Sequence, residues 1–156
     1  MKNSILIVSM LVSILFVAKA YSHCQLPCGI YDDHMRIHMM EENVTTIDLS
    51  INKIKELEKE KPLNHNQLVR WVMNKEKHAD KLSEIATQYF MSQRLKPVED
   101  EKSEAFMNYI KQLTLLHQIT VYSMKAKQTL DVSHVETLRT LISDFEKLYL
   151  KEDSKQ

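Results

Sequence analysis

The chain has 156 residues, a length that suits one domain. Its 21 Lys and Arg balance 21 Asp and Glu, so no basic surplus points to nucleic acid and no acidic run points to a disordered tail. One Gly and three Pro are too few for a sandwich or barrel of many tight turns, which leaves an all-α fold as the expectation.

Residues 1–22 read as a secretory signal peptide rather than as part of the fold. Met1-Lys2-Asn3-Ser4 is a short positive start, and Ile5 to Val17 is an apolar run broken only by Ser9 and Ser13. Ala18-Lys19-Ala20-Tyr21-Ser22 then offers small residues for cleavage by signal peptidase. The apolar run is short for a membrane span. Two cleavage frames fit: Ala18-x-Ala20 leaves Tyr21 first, and Ala20-x-Ser22 leaves His23 first. Either frame exports the protein, periplasmic or extracellular, into an oxidising compartment where two free thiols tend to pair. Residues 23–156 are then one nearly neutral domain with no membrane or nucleic-acid partner after processing.

His23 to Asp32 has no helical periodicity, and four amphipathic helices are expected to follow it. The first runs from about Asp33 to Lys61, with Val44, Ile47, Ile51, Ile54 and Leu57 on one face, and Pro62 stops it. Asn64 with Gln67 resembles a capping pair for the second, whose stripe is Leu68, Val72, Leu82, Ile85 and Tyr89. Pro97 ends the connection beyond it. Glu99, Asp100 and Glu101 put negative charge where the N-terminus of the third helix favours it. Phe106, Tyr109, Leu113, Leu116, Val121 and Met124 form that helix's stripe. Ser133-x-x-Glu136 is a capping box for the fourth, with Val135, Leu138, Ile142, Phe145 and Leu148 or Tyr149 facing inward. Four stripes on short links predict an antiparallel up-down four-helix bundle over about 33–150, preceded by an irregular hook at 23–31 and followed by a polar tail at Lys151 to Gln156.

The chemistry-bearing residues precede the first helix. Both Cys, the one Gly and Pro27 lie within Cys24-Gln25-Leu26-Pro27-Cys28-Gly29. Pro27 fixes one φ and Gly29 permits a positive one, so the chain can reverse and bring two sulfurs to one centre. A structural disulfide and a thiol redox pair both fit a C-x₃-C spacing in an exported protein. A third reading arises if cleavage leaves His23 first. The free α-amine, the Cys24 amide nitrogen and the thiolates of Cys24 and Cys28 then make a planar N₂S₂ set with fused five-membered chelate rings. Such a set suits Ni(II) or Cu(II) rather than tetrahedral zinc, and the His23 imidazole can approach axially. Anionic donors also stabilise a higher oxidation state. One extra residue ahead of His23 removes the amine.

His23-Cys24-Gln25-Leu26-Pro27-Cys28-Gly29-Ile30-Tyr31-Asp32 resembles the nickel hook of nickel superoxide dismutases, His-Cys-x-x-Pro-Cys-Gly-x-Tyr-Asp. The stretch Asn66 to Ala79 and the pair Tyr89-Phe90 are similar to the second-helix region of that family. The resemblance implies one nickel per subunit, held by the amine and axial imidazole of His23, the amide and thiolate of Cys24 and the thiolate of Cys28. Pro27 and Gly29 shape the hook. Tyr31 stands over the open face and orders superoxide or water. The implied reaction is dismutation of superoxide to O₂ and H₂O₂ by Ni(II)/Ni(III) cycling, in a homohexamer of four-helix bundles. Gln25 departs from the acidic residue frequent at the third hook position, and Asp33 stands where a Pro is common. His38 and His78 align with the Glu and Arg that hold the axial imidazole in well-known members, so they are the expected outer partners of the metal, and such partners tune it.

Another class of function is also open. His34-Met35-x-x-His38-Met39-Met40 combines imidazole with thioether, a set that suits Cu(I). An exported, non-catalytic copper- or nickel-binding helical protein is therefore the alternative. The simpler reading of that cluster is packing, with Met39 or Met40 in the core and His34 exposed. His65, His117 and His134 read as solvated or hydrogen-bonded, and Trp71 beside Arg70 as packing. No Gly-rich phosphate loop and no H-E-x-x-H motif occurs, which leaves kinase and metallopeptidase readings without support.

Overall fold

The computed structural model describes residues 29–153, and from Tyr31 onward these form one compact unit. Its helices are α1 (Asp33–Leu57), α2 (His65–Glu84), α3 (Glu104–Gln128) and α4 (Ser133–Asp153). A π-helical segment, Ile85–Arg94, continues α2 without a break. Each helix packs on its chain neighbours, and α1 closes the ring against α4, the arrangement of an up-down four-helix bundle. No described helix is long and apolar enough to cross a membrane.

Local chemistry sets most of the boundaries. Asp32 caps α1 by accepting the Met35 N–H at 2.9 Å, and Asn64 caps α2 by accepting that of Gln67 at 3.2 Å. Helix α1 stops at Leu57, four residues short of the expected end, because Glu58-Lys59-Glu60-Lys61 brings no apolar side chain to the buried face. The acidic triplet 99–101 falls in the turn before α3, not in its first helical turn. Ser103 caps that helix, its Oγ accepting from the Phe106 N–H at 3.1 Å while donating to the Asp100 carbonyl at 2.6 Å. The capping box at Ser133 is also corrected. Ser133 already lies inside α4, and the upstream Asp131 carboxylate accepts its N–H at 2.9 Å.

The five α1 positions at steps of three and four are all buried, as are Leu82, Ile85 and Tyr89. Val72 is not buried. Helix α3 departs most from its predicted stripe. It buries Gln112, Leu116, Ile119, Ser123 and Ala126, while Met124 is exposed and Val121 only half-buried. Met40 is fully buried and Met39 packs against the core, so these two methionines serve packing, and His34 is exposed.

The buried cation of the bundle is hydrogen-bonded. The Lys75 ammonium, buried on α2, donates to the carbonyls of Ala126, Lys127 and Thr129 at 2.9, 2.5 and 3.0 Å. A cation thereby closes the C-terminus of α3, where free carbonyls carry partial negative charge. Burial lowers the Lys75 pKa, and the Glu76 carboxylate opposes that shift.

Candidate metal centre

The proposed donors His23, Cys24 and Cys28, with Pro27, lie outside the described residues. Gly29 is described and takes φ +78°, a left-handed conformation that a side chain would strain although nothing lies within 4 Å of where its Cβ would be. Among the described residues, no group of three or more His, Cys, Asp or Glu side chains is placed to hold a metal ion.

Tyr31 is placed two residues before α1 and remains 39% exposed. Its ring meets the edge of Tyr89 at a centroid distance of 5.9 Å, and the Arg94 guanidinium lies over it at 4.6 Å. Both partners come from the π segment and converge on Asp33, the first residue of α1. Arg94 Nε lies 2.8 Å from Asp33 Oδ1, and its terminal nitrogen lies 2.6 Å from Oδ2. Tyr89 and Tyr149 donate their hydroxyls to the same carboxylate at 2.5 and 2.8 Å. The Asp33 side chain is only 8% exposed. Burial alone would raise its pKa. Hydrogen bonds from Arg94, Tyr89 and Tyr149, with the Arg94 charge, outweigh burial and hold the carboxyl below its ordinary range. Burial and the bond to Asp33 push the Tyr89 phenol up, so it stays a donor at neutral pH.

The π ladder makes this convergence possible. Residues five apart point about 140° away from each other on an α-helix of 3.6 residues per turn. With i→i+5 bonding the turn widens and they come onto one face. Tyr89 and Arg94 are five apart. The wide ladder is visible in Leu95 N–H to Phe90 O at 2.9 Å. Side chains also donate to carbonyls five residues back, Ser92 Oγ to Thr87 and Gln93 Nε2 to Gln88, each at 2.8 Å. In the sequence Asp33 opens the first helix and stands where a Pro is common, and nothing there connects it with Arg94, Tyr89 or Tyr149. An unaligned acid beside the hook was the available signal, and its partners are 56 to 116 positions away.

The two histidines assigned to outer roles have different surroundings. His38 is exposed on α1, beside Glu41 at 3.6 Å and Glu42 at 3.4 Å. His78 on α2 is half-buried, with Nδ1 2.7 Å from Asn43 Oδ1, and Asn43 in turn donates to the Met39 carbonyl at 2.7 Å. Burial, then the charges of Lys81 and Lys77, lower the His78 pKa. The folded state therefore prefers the neutral ring, whereas the unfolded chain takes up a proton near the ordinary value of 6.5. Stability from this site is present above that value and is lost as pH falls through the window beneath it. His78→Asn keeps a donor for Asn43 but does not titrate. The urea midpoint of the parent should fall between pH 7 and pH 5 by more than that of His78→Asn, and equal slopes would refute the assignment.

Residues 18–153 match the family model of nickel-containing superoxide dismutase, most of the chain. The chain belongs to the nickel-containing superoxide dismutase family. Comparisons with curated proteins and with solved structures find no match. The family assignment makes the protein an oxidoreductase acting on superoxide and nickel its cofactor. The donor types available in residues 23–28 fit that metal: two cysteine sulfurs with nitrogen donors beside them could hold nickel.

Proposed function

We propose that this superoxide dismutase works at an N-terminal hook opened by signal peptidase. Cleavage after Ser22 leaves His23 first, and export delivers residues 23–156 to the periplasm or the cell exterior. The amine and imidazole of His23, the amide and thiolate of Cys24 and the thiolate of Cys28 hold one nickel. The observation that carries this reading is a complete donor set within six residues of a plausible cleavage site, in a chain whose family is nickel-containing.

With nickel bound, the site gains a Ni(II)/Ni(III) couple, so that one superoxide is oxidised to O₂ and the next, with two protons, is reduced to H₂O₂. The protein's own residues govern access and geometry. Pro27 and Gly29 shape the turn, and the φ of Gly29 supports that role. Tyr31, 39% exposed and flanked by the Tyr89 ring and the Arg94 guanidinium, would stand over the open face, exclude larger anions and order superoxide or water. His38 and His78 would serve as outer partners of the His23 imidazole, as the resemblance implies. The working assembly is a homohexamer, for which exposed Val69, Met73, Met107 and Met124 leave apolar surface.

The test uses two proteins, one beginning at His23 and one retaining Ser22, each confirmed by intact mass, loaded with nickel and assayed for superoxide consumption. Activity confined to the His23 form is expected. Equal activity in both would overturn the amine as a ligand. Stoichiometric nickel without turnover in either form would favour the non-catalytic metal-binding protein.

A further inference from the structure

We propose that Asp33 and Arg94 form a clamp that positions the Tyr31 ring, and with it the stretch of chain joining the hook to α1. The proposal rests on the reading of residues 23–31 as the nickel site.

Tyr31 has little else to hold it. It lies in irregular chain, it is 39% exposed, and Asp32 after it is extended at φ −136°. Its ring contacts are the Arg94 guanidinium at 4.6 Å and the edge of Tyr89 at 5.9 Å. Each of those groups is fixed by the same carboxylate. Arg94 spends its planar fork on both Asp33 oxygens, which leaves its flat face free to cover Tyr31. Tyr89 is pinned by its hydroxyl to Asp33 Oδ1, with its ring face under the Arg36 guanidinium at 5.0 Å. Tyr149, from the far end of the chain, donates to Oδ2 and ties the carboxylate to α4. One buried anion thus orders a cation and an aromatic ring that together seat Tyr31.

A purely structural role, anchoring α1 to the π segment and α4, would account for the hydroxyls of Tyr89 and Tyr149. It would also account for the fork of Arg94 on Asp33, but it would not call for a guanidinium face over Tyr31. The flat, forked cation is the feature that serves both partners at once.

The experiment uses the chain beginning at His23 with the Tyr31 ring labelled as 3-fluorotyrosine. The parent is compared with Arg94→Lys, which keeps the charge but not the flat fork. A second variant, Asp33→Asn with Arg94→Gln, removes both charges and so avoids a buried unpaired ion. In the nickel-free parent the fluorine resonance should stand apart from that of free fluorotyrosine. In both variants it should move most of the way back, while the helical circular dichroism persists. After nickel loading, metal content and its absorption spectrum should be kept, and the dismutation rate should fall by about tenfold to a hundredfold, the range for a misplaced group near the chemistry. A resonance unmoved in both variants overturns the clamp. A moved resonance with an unchanged rate overturns its positioning role. A parent that binds no nickel overturns the proposed hook instead, and the fluorine shift still decides whether the clamp exists.

Discussion

Replacing Cys24 or Cys28 with Ser is expected to abolish nickel-dependent dismutation in the chain beginning at His23, if the proposed hook holds the metal. The expected fall exceeds about a hundredfold, the upper end for changes outside the ligand shell, because a ligand itself is lost. A Ser hydroxyl stays protonated at neutral pH and is a hard donor, so it cannot supply the anionic sulfur that suits this metal. Cys24→Ser still offers the amine and the amide nitrogen, whereas Cys28→Ser removes the donor that closes the loop. The first variant should therefore retain weak, non-turning-over nickel, and the second should bind less. Native mass of the loaded proteins and superoxide consumption read the two effects separately. Sustained turnover in both variants would remove the hook from the mechanism. If the pair were instead a structural disulfide, both changes would leave nickel content indifferent and produce equal, modest losses of stability, since the closed loop is short.

The second large effect concerns the core. Phe90→Ala is expected to cost about 3–5 kcal/mol, a large share of the 5–15 kcal/mol that holds a domain of this kind. Phe90 is fully buried and meets three rings edge-on, Tyr89 and Phe145 at 4.9 Å and Tyr149 at 5.3 Å. Its removal opens a cavity between α4 and the π segment. Two of its three partners are the phenols that donate to Asp33, so the loosened packing reaches the residue that begins α1. Urea unfolding followed by circular dichroism should show a lower midpoint, and Phe90→Leu should recover more than half of the loss. A loss under about 1 kcal/mol would mean that the neighbouring rings close the gap, against the usual partial relaxation of such sites.

Much of this molecule is local and can be read along the chain. The proposed donors His23, Cys24 and Cys28 lie within six residues, so that reading rests on residue type and spacing and calls on no tertiary contact. The stripe of α1 is equally plain. Its apolar residues recur on one face with polar ones opposite, and Val44, Ile47, Ile51, Ile54 and Leu57 are all buried. Asn64 caps α2 through its own side chain, three residues from its partner.

What the tertiary structure decided involves choice among faces or partners far apart. Helix α3 carries apolar side chains on several faces, including Met107, Ile110, Leu113 and Leu116. Periodicity alone could not select the one that α2 and α4 cover, and the buried side passes through Ile119 and Ala126 rather than Val121 and Met124. The cap of α4 moved to Asp131 because a carboxylate two residues upstream reached the Ser133 N–H first. The Asp33 cluster lies further beyond sequence reading. It joins residues 33, 89, 94 and 149, and it depends on a change from i→i+4 to i→i+5 bonding within one continuous helix. Helical periodicity assumes a constant turn, so a segment that widens its turn to present Tyr89 and Arg94 together becomes visible only when the chain is folded.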